Sequence, residues 1–81
     1  MIYFKNLGEE YIERICDIVG ADLLYFSQEN RYVIEIYFKV APRIELHLKS
    51  LENSRELITE IYCCIKRGYG VIDFEQYREK E

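Results

Sequence analysis

Two alternating runs of apolar and polar residues, joined by a short turn, constrain this chain more than any other feature. On the apolar face of the two runs lie Tyr32, Ile34, Ile36, Phe38, Val40, Ile44, Leu46 and Leu48. On the polar face lie Val33, Glu35, Tyr37, Lys39, Arg43, Glu45, His47 and Lys49. A period of two predicts half-buried strands, and the short connection around Pro42 predicts that they form an antiparallel hairpin. Helices are expected to cover the apolar face.

The residues before this hairpin show two further patterns. Apolar residues at helical spacing from Leu7 to Val19 predict a first helix, with Asn6 as its N-cap and Gly20 as its C-terminal stop. The apolar and aromatic run Asp22 to Ser27 then predicts a strand that precedes the hairpin. The first five residues alternate too briefly to distinguish an edge strand from an ordered tail.

After the hairpin, Asn53 and Glu56 resemble a capping box and predict a second helix that ends at Gly68. For the C-terminal segment, Asp73 and Gln76 favour a short third helix over a fourth strand through Val71 and Ile72. The expected fold is therefore α+β, with a three-stranded antiparallel β-meander covered on one face by helices in the order α-β-β-β-α-α. With 81 residues, the chain is expected to form a single domain, 1–81.

The titratable residues give little support for catalysis. The chain has one histidine, His47, which alternates onto the polar face of a strand, and no glycine-rich turn follows a strand to hold a phosphate. The three cysteines lack the paired spacing of a zinc site, and we expect all of them to be free, with Cys64 inward and Cys63 nearer the surface. The sequence predicts no enzyme, no metal and no cofactor.

The charge and hydropathy of the chain limit the classes of partner that it is expected to bind. The formal net charge of −4 argues against direct binding of nucleic acid, whose phosphates require a basic surface. The chain has neither an 18-residue apolar run nor the features of a signal peptide, so we expect a cytoplasmic protein without a membrane partner.

Tyrosine is unusually frequent, with 8 of 81 residues, and a domain of this size cannot bury every phenol. Tyr37 falls between Glu35 and Lys39 on the polar face, and Tyr69 and Tyr77 flank the acids Asp73 and Glu75. A second acidic group is predicted on one face of the first helix, comprising Glu10, Glu13 and Asp17. Exposed tyrosine beside acids is typical of a protein-recognition surface.

The order of elements, the step Gly68-Tyr69 and the acidic segment with Asp73, Glu75 and Tyr77 resemble the small acidic type II-A anti-CRISPR proteins of phages and prophages. In place of that family's acidic hairpin tip, this chain has the residues Val40 to Arg43. The resemblance implies a scaffold whose acidic side chains occupy the DNA-recognition site of an RNA-guided nuclease. The larger partner would then be a CRISPR nuclease or effector complex in the host cytoplasm.

The hypothesis at this point is a non-enzymatic inhibitor of mobile-element origin. Its predicted partner-binding residues are Tyr69, Asp73, Glu75, Tyr77, Glu10, Glu13, Asp17 and Tyr37. The alternative is a small bacterial or phage housekeeping module that homodimerises through the polar face of its sheet.

Overall fold

A computed structural model of the chain describes residues 2–7, 14–16 and 18–78, with the backbone alone for 14–16. The described strands are β1 (Ile2–Lys5), β2 (Arg14–Cys16), β3 (Ile18–Phe26), β4 (Arg31–Phe38), β5 (Ile44–Leu48) and β6 (Gly70–Asp73). The helices are α1 (Leu51–Arg67) and α2 (Glu75–Arg78). The α+β class is as predicted, whereas the order of elements differs.

The strands form two three-stranded sheets. The first has the order β3-β4-β5 and is antiparallel throughout, as predicted for the meander. Pro42 lies in the exposed connection between β4 and β5, where its missing N–H breaks no ladder bond. β4 ends at Phe38, so Val40 lies beyond the strand and is 94% exposed. The prediction that Val40 belongs to the apolar face is therefore wrong.

The second sheet was not predicted. It has the order β2-β1-β6, in which β1 pairs antiparallel with β2 and parallel with β6. The undecided N-terminal residues therefore form a central strand, and the backbone of Ile2 lies opposite both Cys16 and Gly70.

The predicted first helix is wrong for the part of it that the structure describes. Residues 14–16 pair with β1, and residues from Ile18 onward pair with β4, with a register shift between Ile18 and Gly20. Extended pairing on both sides satisfies the backbone of this segment, so long-range ladders override its helical spacing. Gly20 accordingly lies within β3 and is no helix stop. Tyr11 and the rest of the predicted helix, 8–13, lie outside the described residues.

The core is a buried cluster with members from both sheets and α1. The six residues of β4 and β5 that were expected to be buried are buried: Ile34, Ile36, Phe38, Ile44, Leu46 and Leu48. From α1, Leu57 and Ile61 are fully buried and Ile65 packs at the margin. Sheet β2-β1-β6 contributes Ile2, Phe4 and Ile72.

The N-cap of helix α1 lies three residues before the predicted one, Asn53. Ser50 is the N-cap, and its hydroxyl accepts a hydrogen bond from the backbone N–H of Asn53 at 3.2 Å. Asn53 instead lies in the first turn, where its buried side chain donates to the carbonyl of Tyr77. The predicted end of the helix at Gly68 is correct. This residue has a φ of 84°, and its backbone N–H donates to the carbonyl of Cys64.

The C-terminal segment contains both of the structures that were weighed against each other. Residues Gly70–Asp73 form β6, and Glu75–Arg78 form the short helix α2. Asp73 joins the two, because its carboxylate accepts from the N–H of Glu75 at 3.0 Å.

The two cysteines of α1 have the predicted exposure. Cys63 is exposed, Cys64 is buried, and both are free thiols. Neither described helix is long and apolar enough to cross a membrane.

Candidate functional site

Asp73, a predicted contact residue, is engaged by its own chain. Its carboxylate accepts from the amide of Asn6 at 2.7 Å and lies 3.9 Å from the ammonium of Lys5, its neighbour across the β1/β6 ladder. The Asn6 hydrogen bond is the main cause that lowers the pKa of Asp73 below its usual range, with Lys5 adding to the effect. These contacts hold β6 against the end of β1.

Glu75 is likewise paired within the fold. It forms an ion pair with Arg78 across the single turn of α2. The same guanidinium donates to the carbonyl of Asn6 at 3.1 Å and lies 5.1 Å from the ring centre of Phe74. The acidic C-terminal patch is thus largely compensated by neighbouring cations.

Tyr77 is buried, contrary to the expectation of an exposed phenol. Its hydroxyl donates to the carboxylate of Glu60 on α1. Burial, followed by the hydrogen bond to Glu60, raises the pKa of Tyr77 above its usual value. The ring belongs to the core that docks α2 onto α1, because the helical phase of α2 turns it inward.

Tyr69 alone of the predicted tail residues presents an open aromatic surface. It is 63% exposed, and the guanidinium of Arg67 lies 5.7 Å from its ring centre. The other predicted acids, Glu10, Glu13 and Asp17, lie outside the described residues.

The structure brings a different set of acids together on the sheet face opposite α1, which we call the outer face. Its members follow from the register, since residues directly opposite each other point to the same side. Counted from the β3–β4 turn, the residues of the outer face form successive rows across the three strands. The first row contains Phe26 and Arg31, with Lys49 just beyond the end of β5.

The second row, which we call the apolar row, contains Leu24 and Val33, with His47 at its end on β5. Val33 is buried, although it is not part of the core cluster. Leu24 is 38% exposed and Phe26, in the row before it, is 43% exposed. Solvent therefore reaches apolar surface on the outer face at Leu24 and Phe26, and does not reach Val33.

The third row, which we call the acid row, places Asp22, Glu35 and Glu45 side by side on three adjacent strands. Like charges directly opposite each other on a sheet are destabilising. Two neighbours reduce this repulsion. Arg43 lies 3.1 Å from the Glu35 carboxylate and 3.9 Å from that of Glu45. The Tyr37 hydroxyl reaches both Asp22, at 3.2 Å, and Glu35, at 3.4 Å.

Tyr37 therefore occupies the predicted polar face, beside acids. It is half-buried, and its pKa is raised above the usual value by burial first and then by the hydrogen bond to Asp22 and the charge of Glu35. The phenol stays protonated at neutral pH and can donate to these carboxylates.

Basic groups cluster at the opposite end of the outer face. Arg31, His47 and Lys49 line a cleft of about 460 Å³ between the β3–β4 turn and the end of β5. The guanidinium of Arg31 lies 5.7 Å from the ring centre of Phe26 and pairs with Glu29 in the turn. We call Arg31 and Lys49 the basic corner.

Sequence reasoning placed Glu35, Tyr37 and Glu45 on one polar face but did not recognise the acid row. The missing information was the register of β3, which brings Asp22 opposite Glu35. The four-residue turn Ser27–Asn30 was the available signal, because it fixes which residues of β3 and β4 face each other.

Comparison of the chain with protein-family models, with curated proteins and with solved structures found no match. Within 2–7, 14–16 and 18–78, no group of three or more His, Cys, Asp or Glu side chains is arranged to hold a metal ion.

Proposed function

We propose that this protein is a non-enzymatic inhibitor that binds a basic groove of a larger nucleic-acid-processing protein through its outer face. The partner class is the one that the resemblance implies, a CRISPR nuclease or effector complex in the host cytoplasm. The observation that carries the proposal is the acid row, where three carboxylates on adjacent strands are flanked by the phenol of Tyr37.

The energetics of the acid row favour binding over stability. Three adjacent carboxylates repel one another in the free protein, and Arg43 compensates them only in part. A groove that binds DNA already presents cations spaced to receive a polyanion. Its cations would relieve this repulsion, so association should be steered by charge and should weaken with salt.

The exposed apolar side chains of the outer face would contribute contact area. Leu24 is exposed in the row next to the acid row and Phe26 is exposed one row further away, and a partner that covers them removes apolar surface from water. Charge would then supply orientation and the rate of encounter, while these side chains supply much of the affinity.

The C-terminal residues keep a secondary place in the proposal. Tyr69 is an exposed contact candidate, while Asp73 and Glu75 would have to exchange intramolecular partners to reach a second protein. Glu10, Glu13 and Asp17 stay predicted contacts that precede β3 in the chain.

A DNA-cleavage assay with a panel of purified RNA-guided nucleases tests the proposal. We expect the unaltered protein to slow cleavage by at least one nuclease and the Asp22→Lys/Glu45→Lys variant to lose this effect. Glu52→Lys/Glu56→Lys is the matched control, because it makes the same change in charge at two exposed positions of α1. The control should inhibit as the unaltered protein does.

Two results would contradict the proposal. Undiminished inhibition by the acid-row variant would move the contact surface elsewhere. Cleavage by every nuclease at its normal rate, with no nuclease retained on the immobilised protein, would remove this partner class.

A further inference from the structure

The charges of the outer face are complementary to those of the same face turned end for end. Along β4 and β5, Arg31 and Lys49 lie on one side of the apolar row, and Glu35 and Glu45 lie on the other. A two-fold axis that crosses the strands at the apolar row, parallel to the sheet plane, places the first row of one copy over the third row of the other. Such an axis gives an isologous, closed dimer.

We propose that the outer face also binds a second copy of this chain in this face-to-face, antiparallel arrangement. Each copy would set Glu45 over Lys49 of its mate. This pair occurs twice because of the symmetry. At the axis, the exposed side chain of Leu24 would meet its own counterpart and remove apolar surface from water.

The opposite orientation of the second copy is disfavoured. An axis along the strands would bring acid row onto acid row and basic corner onto basic corner. Like-charge contacts of this kind are strongly unfavourable in an interface, so they disfavour this second orientation. The charge pattern therefore selects one of the two symmetric ways of stacking the sheets.

The size of the face sets the strength of the pair. Three strands about 4.8 Å apart and the three rows that overlap, about 6.7 Å apart, give a footprint of roughly 15 by 20 Å, or about 300 Å² a copy. Stable interfaces bury about 800 Å² a partner, so this pair should be weak and dependent on concentration. Weak pairing leaves the face accessible to a tighter-binding protein.

Sedimentation velocity over a range of protein concentrations tests the pairing without any nuclease, so its failure and that of the proposed function are distinguishable. We expect a monomer–dimer equilibrium for the unaltered chain that shifts toward monomer as salt is raised. The single variants Glu45→Lys and Lys49→Glu should each weaken the dimer about tenfold or more, because each turns two attractions into two repulsions.

Two combinations then identify the contact. The double variant Glu45→Lys/Lys49→Glu restores opposite charges across the axis and should recover the dimer. A mixture of the two single variants should form heterodimers while neither pairs with itself. The exposed substitution Glu52→Lys on α1 is the control and should leave the equilibrium unchanged.

The pairing is overturned by a chain that stays monomeric at every concentration. It is also overturned if the single variants dimerise like the unaltered chain, or if both single variants lose the dimer and neither combination restores it.

Discussion

At the scale of single residues, the acids of this chain divide into those whose contacts stabilise the fold and those that repel neighbouring acids. Asp73 receives two hydrogen bonds and an ion pair, and it connects β1, β6 and α2. In the acid row, Asp22 accepts a hydrogen bond from Tyr37, and Glu45 lies near Arg43 and His47 of its own hairpin. Charge composition alone does not separate these two kinds of acid, since the difference lies in which neighbours the register supplies.

The lowered pKa of Asp73 makes its contribution to stability depend on pH. A folded-state pKa below the unfolded value of about 3.9 gives stability that is fully present above that value. The contribution is lost as the pH falls through the folded pKa. We therefore expect Asp73→Asn to lower the thermal midpoint at pH 7, with a difference that shrinks as the pH falls below about 4.

Thermal unfolding of both proteins from neutral to strongly acidic pH measures this difference, with Glu52→Gln on the exposed face of α1 as the control. An equal difference at every pH would mean that the ionised carboxylate is not what stabilises the junction.

At the scale of elements, the turn from α1 into β6 requires two glycines for different reasons. Gly68 has a φ of 84°, and a side chain there would meet nothing within 4 Å. Gly70 has a φ of 153°, and a Cβ atom there would lie 2.5 Å from the sulfur of Cys64. The first glycine ends the helix, and the second lets β6 pass close to it.

We expect Gly70→Ala to destabilise the protein more than Gly68→Ala. Gly68→Ala should cost about 1–2 kcal/mol because of its left-handed backbone. Gly70→Ala adds to backbone strain an overpacking cost of about 1–3 kcal/mol against Cys64. Urea unfolding of both variants measures the two costs.

The source of the larger cost can be isolated with a third substitution. Cys64→Ala should recover part of the loss in the Gly70→Ala background while destabilising the unaltered protein. Purely additive effects of the two substitutions would show that the contact with the Cys64 sulfur is not responsible.

The hairpin, its loop and the stop of α1 could be predicted because local patterns determine them. The alternation of apolar and polar residues decides which side chains of β4 and β5 are buried. Gly68 ends α1 in the left-handed backbone conformation, which favours glycine. The strands that contain Ile15 and Ile18 could not be predicted in the same way. Both residues fit a helical period, but pairing with strands distant in the sequence makes their backbone extended. The pairing of β1 with β6 joins the two ends of the described chain, and no local signal encodes it.

The candidate site shows the same division. Tyr37 and Glu35 were recognisable from alternation, and the acid row was not, because it depends on the registers of two ladders at once. Tyr77 was misjudged because its exposure depends on how α2 docks on α1, where its hydroxyl meets Glu60.

At the scale of the whole molecule, two sheets share one core with α1 and leave one broad sheet face uncovered by that helix. The apolar sides of β3, β4 and β5 face α1, while their polar sides form the outer face. The central claim is that Asp22 and Glu45 on this face are available to a partner, whereas the acids at the C-terminal end maintain the fold.

The thermal unfolding midpoints of two charge-reversed variants, compared at neutral pH, test this claim most directly. Asp73→Lys/Glu75→Lys should lower the midpoint, because it breaks the contacts with Lys5, Asn6 and Arg78. Asp22→Lys/Glu45→Lys makes the same change in charge and should leave the midpoint unchanged or raise it, since it removes repulsion within the acid row. A lower midpoint for the acid-row variant, together with an unchanged one for the C-terminal variant, would contradict the claim.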